Sequence, residues 1–353
     1  MERINKLRTA LGEHNLDAIL ITSPINRRYV TGFTGTAGAA IVSKEESLFI
    51  TDFRYTEQAT DQAKGFEVIE HKQLMDLEIR DQLKRLNVKR LGFEKNHTTY
   101  ALFEQYNKSL EVELVPVSDI VENIRLIKSA DELEIMKQAA KIADDAFYHI
   151  QNYIKPGVKE IDVSNELEFF MRKQGATSSS FDIIVASGNR SAMPHGVASE
   201  KEIQSGELVT LDYGALYNGY CSDITRTFAV GEISDELKDI YNTVLEAQLL
   251  GVEGIKPGMT GKEADDLTRD YIKSKGYGEY FGHSTGHGLG MEVHEGPGLS
   301  FRSSATLKPG MVVTVEPGIY IPNVGGCRIE DDIVITEDGN ERLTKSPKDL
   351  IQL

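Results

Sequence analysis

The chain repeats itself. Lys155-Pro-Gly157 recurs as Lys256-Pro-Gly258, an offset of 101 residues. Each copy follows a long segment with helical spacing of apolar residues and precedes a shorter one, about 160–174 and 261–275. Each shorter segment ends at a glycine, Gly175 or Gly276, again 101 apart. Glycine is expected there because the backbone just past a helix end commonly turns left-handed. The strand-like runs that come next also correspond: Gly206-Glu-Leu-Val-Thr-Leu-Asp212 parallels Gly310-Met-Val-Val-Thr-Val-Glu316, offset by 104. A second acid comes shortly after each, Asp223 in Ser222-Asp-Ile-Thr and Glu330 in Ile329-Glu-Asp-Asp, and is expected to close the following strand. Such self-similarity restricts the fold more than any local propensity does. It implies two helix–helix–hairpin units packed about a pseudo-twofold axis, each bringing two carboxylates toward that axis.

Four carboxylates converging among apolar strands repel one another, so they must hold protons or bind cations. Two divalent ions would balance their charge. Asp212 or Asp223 taken alone reads as an ordinary strand-end aspartate; with Glu316 and Glu330 as repeat partners, all four become candidate metal ligands. A fifth ligand should break the symmetry, and Gly282-His-Ser-Thr-Gly-His-Gly-Leu-Gly290 offers His287 between glycines that let the backbone approach closely. A lone histidine is more often a satisfied structural residue, but His283, His287 and His294 fall within twelve residues of a chain that has eight histidines. Oxygen-rich ligation with one imidazole and no thiolate favours manganese, leaving cobalt, zinc and iron open. Two such ions ~3.5–4 Å apart would bridge a water, lower its pKa and clamp a tetrahedral intermediate. His195 and His294 occupy corresponding places in the two copies and are assigned to substrate, one near the oxyanion and the other near the leaving nitrogen.

With 353 residues, the chain exceeds one small core and calls for two domains. The first ~125 residues alternate short apolar runs, 17–22, 40–42, 47–51, 90–93 and 113–117, with helix-like segments near 2–14, 54–64 and 75–86, which predicts a mixed sheet. A junction follows at Ile127-Lys-Ser129. Ser129 with Glu132 forms a capping-box pattern, and apolar residues at 136, 140, 143, 147, 150 and 154 trace one helix face. The expected domains are therefore 1–125 and 126–353, in an α/β (α+β) chain. A net charge of -16 argues against a nucleic-acid partner. No apolar run approaches the roughly 20 residues of a membrane span. The amino terminus lacks a signal-peptide pattern, and two cysteines, Cys221 and Cys327, cannot make a disulfide framework, so a cytoplasmic location is expected. The two cysteines precede Asp223 and Glu330 by two and three residues, and are expected to be small core residues.

Over essentially its whole length the chain resembles the aminopeptidase P and prolidase group of pita-bread metallopeptidases. The motifs carrying the resemblance are Pro194-His-Gly, Leu211-Asp-Tyr-Gly, Ser222-Asp-Ile-Thr-Arg-Thr, Gly286-His-Gly-Leu-Gly, Val315-Glu-Pro-Gly-Ile-Tyr and Arg328-Ile-Glu-Asp-Asp. The resemblance implies that Asp223 and Glu330 bridge two metals, Asp212 completes one site, and His287 with Glu316 completes the other. It also implies that Glu316 relays protons for a bridging hydroxide, while His195, His283 and His294 hold substrate and intermediate with Arg328 in support. Tyr29–Gly38 and Thr51–Ala59 look like a creatinase/prolidase-type amino-terminal domain, although plain strand and turn packing would explain them too. Family members commonly pair, so a homodimer is expected.

The bond before proline is a tertiary amide without an N–H, so a site that cleaves it must bind the ring and protonate the departing nitrogen. His294, Tyr320 and Phe181 are the candidates for that work. The main reading is release of the first residue from peptides with proline second, since Gly32–Gly38 with Asp52–Tyr55 looks closer to that branch. The alternative is an Xaa-Pro dipeptidase. Methionine aminopeptidase shares the ligands but usually lacks the first domain, creatinase works without the metal set, and a non-catalytic binding module should have lost ligands.

Overall fold

The computed structural model describes residues 2–353, which divide into two compact units, one ending at Arg125 and the other spanning Leu126–Leu353. The first unit runs α1 (Glu2–Glu13), β1 (Ala18–Ile21), α2 (Pro24–Thr31), β2 (Ala39–Ser43), β3 (Ser47–Thr51), α3 (Thr56–Gln62), β4 (Glu67–Glu70), α4 (Met75–Arg85), β5 (Arg90–Glu94), α5 (Tyr100–Ser109), β6 (Glu113–Val117) and α6 (Ile120–Arg125). Its sheet has the spatial order β4-β3-β2-β1-β5-β6. Pairing is antiparallel in β1–β2 and β2–β3 and parallel in β1–β5, β3–β4 and β5–β6, so the sheet is mixed, as the sequence predicts.

Four elements of this unit escape a reading by periodicity. Helix α2 spans eight residues between a Ser23 cap and a left-handed Gly32, and its buried face includes Asn26 and Arg27. Edge strand β4 is only partly buried, α5 buries just Tyr106, and α6 is six residues long. The segment ending at Gly38 is held by ordinary packing: Arg27 donates to the carbonyls of Gly35 and Gly38, and the Thr51 hydroxyl donates to that of Ala37.

The second unit contains α7 (Ala130–Ile150), α8 (Glu160–Lys173), β7 (Ser178–Ser179), β8 (Ile184–Ser187), β9 (Glu207–Tyr213), β10 (Ala215–Tyr217), β11 (Tyr220–Cys221), β12 (Ile224–Val230), α9 (Asp235–Gly254), α10 (Gly261–Ser274), β13 (Gly286–Gly288), β14 (Glu295–Leu299), β15 (Val312–Val315), β16 (Gly318–Ile321), β17 (Gly325–Arg328), β18 (Asp331–Ile335) and β19 (Asn340–Arg342). Helix α7 starts at the anticipated capping box, with Ser129 and Glu132 each satisfying the other's backbone N–H. Its buried face, Met136, Ala140, Ala143, Phe147 and Ile150, packs toward α8 and β12, where Phe147 stacks on Phe228 with ring centroids 5.4 Å apart.

The duplication is visible in the backbone. Gly157 and Gly258 have φ of 89° and 88°, and each N–H donates to a main-chain carbonyl, Ile203 or Leu307, at 2.9 Å. Sheet order is β12-β9-β8 in the first half, and β18-β15-β13 recurs inside the second half's five-stranded sheet. In each half the chain leaves its ladder as a hairpin, β10–β11 or β16–β17, and then re-enters it. Asp212 and Glu316 sit where the chain departs; Asp223 and Glu330 sit one residue before β12 and β18. The second acid of each half therefore opens a strand rather than closing one, which corrects the expectation. Ser187 lies opposite Val209, and Gly288 opposite Val313, so Ala186 is the first-half counterpart of His287.

Cys221 and Cys327 are both buried and free. Their surroundings differ: Cys221 approaches the Met291 carbonyl, whereas Cys327 packs among Tyr241, Ile319 and Ile329. Among the described residues, no helix is long and apolar enough to cross a membrane.

Candidate active site

The hairpin departures of the two halves meet. Asp212, Asp223, His287, Glu316 and Glu330 all line one cavity of about 530 Å³, together with His195, His283, His294, Arg328 and Phe181. Asp223, His287 and Glu330 each offer a ligand atom within 4.8 Å of the others. Three carboxylate oxygens there, Asp212 Oδ1, Asp223 Oδ1 and Glu330 Oε1, are buried with no hydrogen-bond partner. Burial, reinforced by the neighbouring carboxylates, pushes Asp223 and Glu330 well above the usual acid range, and burial takes Glu316 up to about 8. Acids so placed favour whatever supplies positive charge.

His287 faces this cluster. Its Nδ1 lies 3.1 Å from the Gly288 carbonyl, which can only accept, so the proton belongs on Nδ1. The unprotonated Nε2 then points at Glu316 Oε1, 3.3 Å away, and Asp223 Oδ2, 3.7 Å away. Burial lowers the imidazole to about 4, so it stays neutral near neutral pH. Lone pairs on one nitrogen and several oxygens thus face one another, an arrangement that a proton or a cation completes.

Around this group the polar contacts are specific. Arg328 holds Asp212 Oδ2 through one guanidinium nitrogen, and donates through another to the Pro194 carbonyl and the Tyr320 hydroxyl. Tyr320 in turn reaches His283 Nε2 at 2.8 Å, and His283 Nδ1 donates to the Ser284 carbonyl at 2.8 Å. Because Arg328 can only donate, the Tyr320 hydroxyl proton is free to go to His283, which burial holds neutral at about 4. Tyr320 is buried behind the cavity wall rather than on it, and both ring nitrogens of His283 are engaged by the protein. His195 and His294 lie exposed on the cavity, the His294 ring 4.2 Å from that of His287.

Comparison with known proteins agrees with this geometry. Residues 134–337 match the model of metallopeptidase family M24, and residues 3–127 match the creatinase/prolidase N-terminal domain. The chain belongs to metallopeptidase family M24. It is 63% identical to a solved Xaa-Pro dipeptidase from Bacillus anthracis, with a TM-score of 0.99 over 100% of this chain and 99% of that one. It is 43% identical to an Xaa-Pro dipeptidase of Pyrococcus furiosus over 99% of both chains. A solved X-Pro aminopeptidase from Thermotoga maritima is 40% identical, with a TM-score of 0.92 over 96% of this chain and 98% of that one.

Membership of family M24 implies a dinuclear metal centre. The residues present fit one: four carboxylates, three of them with an orphaned buried oxygen, and an imidazole nitrogen with its lone pair aimed among them.

Two neighbours of the cluster were not singled out from sequence. The Thr225 hydroxyl donates to Glu330 Oε2 at 2.6 Å, and Asp332 Oδ2 accepts the backbone N–H of Asp223 at 2.9 Å. A signal was present in the repeat register, since each lies two residues past the acid of its own half and contacts the acid of the other.

Proposed function

We propose that the chain is an Xaa-Pro dipeptidase, hydrolysing the bond between a first residue and a following proline. The observation that carries the hydrolytic reading is the convergence of Asp212, Asp223, Glu316, Glu330 and His287 on one cavity that also presents His195 and His294. The dipeptide preference is supported by the Bacillus anthracis and Pyrococcus furiosus proteins, both described as Xaa-Pro dipeptidases at high identity and near-complete coverage. It reverses the lean toward longer peptides drawn from Gly32–Gly38 and Asp52–Tyr55. The Thermotoga maritima aminopeptidase keeps that second reading in view.

In this proposal Asp212, Asp223, His287, Glu316 and Glu330 hold two divalent cations, manganese by preference. When bound, the cations would supply Lewis-acid activation of water and of the scissile carbonyl. Glu316 takes a proton from the attacking water and passes it on. His294 stands near the leaving nitrogen, where a donor is required because proline's nitrogen departs as an amine. His195 stabilises the oxyanion from the opposite copy of the repeat. Arg328 holds Asp212 in its orientation, with Tyr320 and His283 bracing it. Assembly as a homodimer belongs to the same proposal.

The test is hydrolysis by the Mn2+-loaded protein of an Xaa-Pro dipeptide, an Xaa-Pro-Xaa tripeptide and an Xaa-Ala dipeptide. The expected result is a kcat/KM for the Xaa-Pro dipeptide at least about tenfold above both others. Preference for the tripeptide would install the aminopeptidase reading; no cleavage before proline would refute both.

A further inference from the structure

We propose that Thr225 is a positioning residue for the metal centre, its hydroxyl fixing the Glu330 carboxylate across the boundary between the two repeat halves. The inference rests on the metal reading above.

Thr225 is completely buried on β12, opposite Asp212 in the β9–β12 ladder. Its Oγ1 has two partners. Arg328 Nε lies 3.2 Å away and Glu330 Oε2 lies 2.6 Å away. An arginine N–H can only donate, so it occupies a lone pair of the hydroxyl, and the single hydroxyl proton is left to point at the carboxylate. The rotor therefore has one orientation. Once Glu330 is ionised, as a metal ligand must be, the hydroxyl is bonded to a charged group at each end, so the contact is directional and stiff.

Its consequence is geometric. With Oε2 of Glu330 bound to Thr225, the remaining oxygen, Oε1, is the buried one without a partner, left to face the cluster. The same guanidinium that donates to Thr225 holds Asp212. One hydroxyl thus joins Asp212, through Arg328, to Glu330, and so ties a ligand of the first half to a ligand of the second. The main chain runs the same way, as the Glu330 N–H donates to the Thr225 carbonyl at 3.1 Å. The counterpart of Thr225 in the other half is Asp332, which clamps the Asp223 backbone instead and leaves that carboxylate's side-chain oxygens alone. Thr225 is the partner of Glu330 Oε2, as Arg328 is of Asp212 Oδ2 and Thr314 of Glu316 Oε1.

Thr227 supplies the control. It is buried on the same face of β12, but its hydroxyl meets Thr210 and the Arg328 carbonyl, not a carboxylate. The experiment is Mn2+ titration by calorimetry, with electron paramagnetic resonance of the bound ion, on wild type, Thr225→Val, Thr225→Ser and Thr227→Val. Thr225→Val is expected to weaken Mn2+ binding about 10–100-fold, with Thr225→Ser staying within about threefold of wild type. Thr227→Val is expected to bind Mn2+ as wild type does, whatever it loses in stability. Wild-type affinity in Thr225→Val would overturn the proposal, as would equal losses in the valine and serine variants. If Thr225→Val does not fold, Thr225→Ala carries the same comparison; failure of both to fold with Mn2+ present would assign the hydroxyl to folding and also overturn it. Wild type that binds no Mn2+ would sink the metal reading itself, a failure distinguishable from all of these.

Discussion

The two halves of the catalytic unit share a frame and differ in what they hang on it. Gly157 and Gly258 adopt the same φ within a degree, their N–H groups make equivalent bonds, and both ladders release a hairpin between paired acids. The side chains diverge at matched positions: Asp212 and Asp223 face Glu316 and Glu330, Ala186 stands where the second half has His287, and Thr225 corresponds to Asp332. Duplication explains why four carboxylates converge at all. Divergence explains how the cluster acquires one imidazole and different partners for Asp212 and Glu330.

The largest effects should come from the acids that sit at matched positions. Asp223→Ala and Glu330→Ala are each expected to abolish hydrolysis even in metal-replete buffer, a loss of at least about 10³-fold in kcat, since each would serve both ions. Steady-state kinetics on the two variants checks this, and near-normal turnover in either would break the equivalence of the halves. Divergence predicts a different signature for His294→Ala: kcat falls about 10²-fold or more while Mn2+ affinity changes little. Kinetics alongside metal titration separates the two, and a parallel fall in affinity would make His294 part of the metal shell.

Metal removal probes the shared axis. Asp223, Glu330 and Glu316 hold protons in the metal-free fold well above the pH at which they ionise when unfolded. Unfolding therefore releases protons, so their contribution is fully present below about pH 4 and is lost as pH rises toward and past about 8. Stripped protein should melt on the order of 5 °C lower at pH 8 than at pH 6, and Mn2+ should recover more stability at pH 8. Differential scanning calorimetry with and without chelator reads this directly. The smallest expected effect tests the frame alone. Gly157→Ala and Gly258→Ala meet open space but force alanine into a left-handed backbone, and each should cost about 1 kcal/mol in urea unfolding, equally and with activity intact. Unequal costs would show that the halves bear load differently.

Much of this was legible in sequence because duplication leaves a numerical trace. The offsets at Lys155-Pro-Gly157 and Lys256-Pro-Gly258 located both copies, and the acids followed from register without geometry. The capping box at Ser129 and the α7 stripe were equally plain, because both are local patterns. Helix α2 was not, since its buried Arg27 and Asn26 interrupt the stripe that would announce a helix. Tyr320 could be placed near the site but not behind its wall, and Thr225 could not be seen to reach Glu330, because both depend on how strands from different halves approach. The choice between dipeptides and longer peptides depends on the shape of the cleft past proline, which no short motif encodes.

The claim that two halves jointly build a dinuclear site is tested most directly by Mn2+ stoichiometry. Calorimetric titration of the metal-stripped protein is expected to give two ions per chain in wild type and no more than one in Asp223→Ala or Glu330→Ala. One ion or none in wild type, or two retained after loss of either acid, would contradict it.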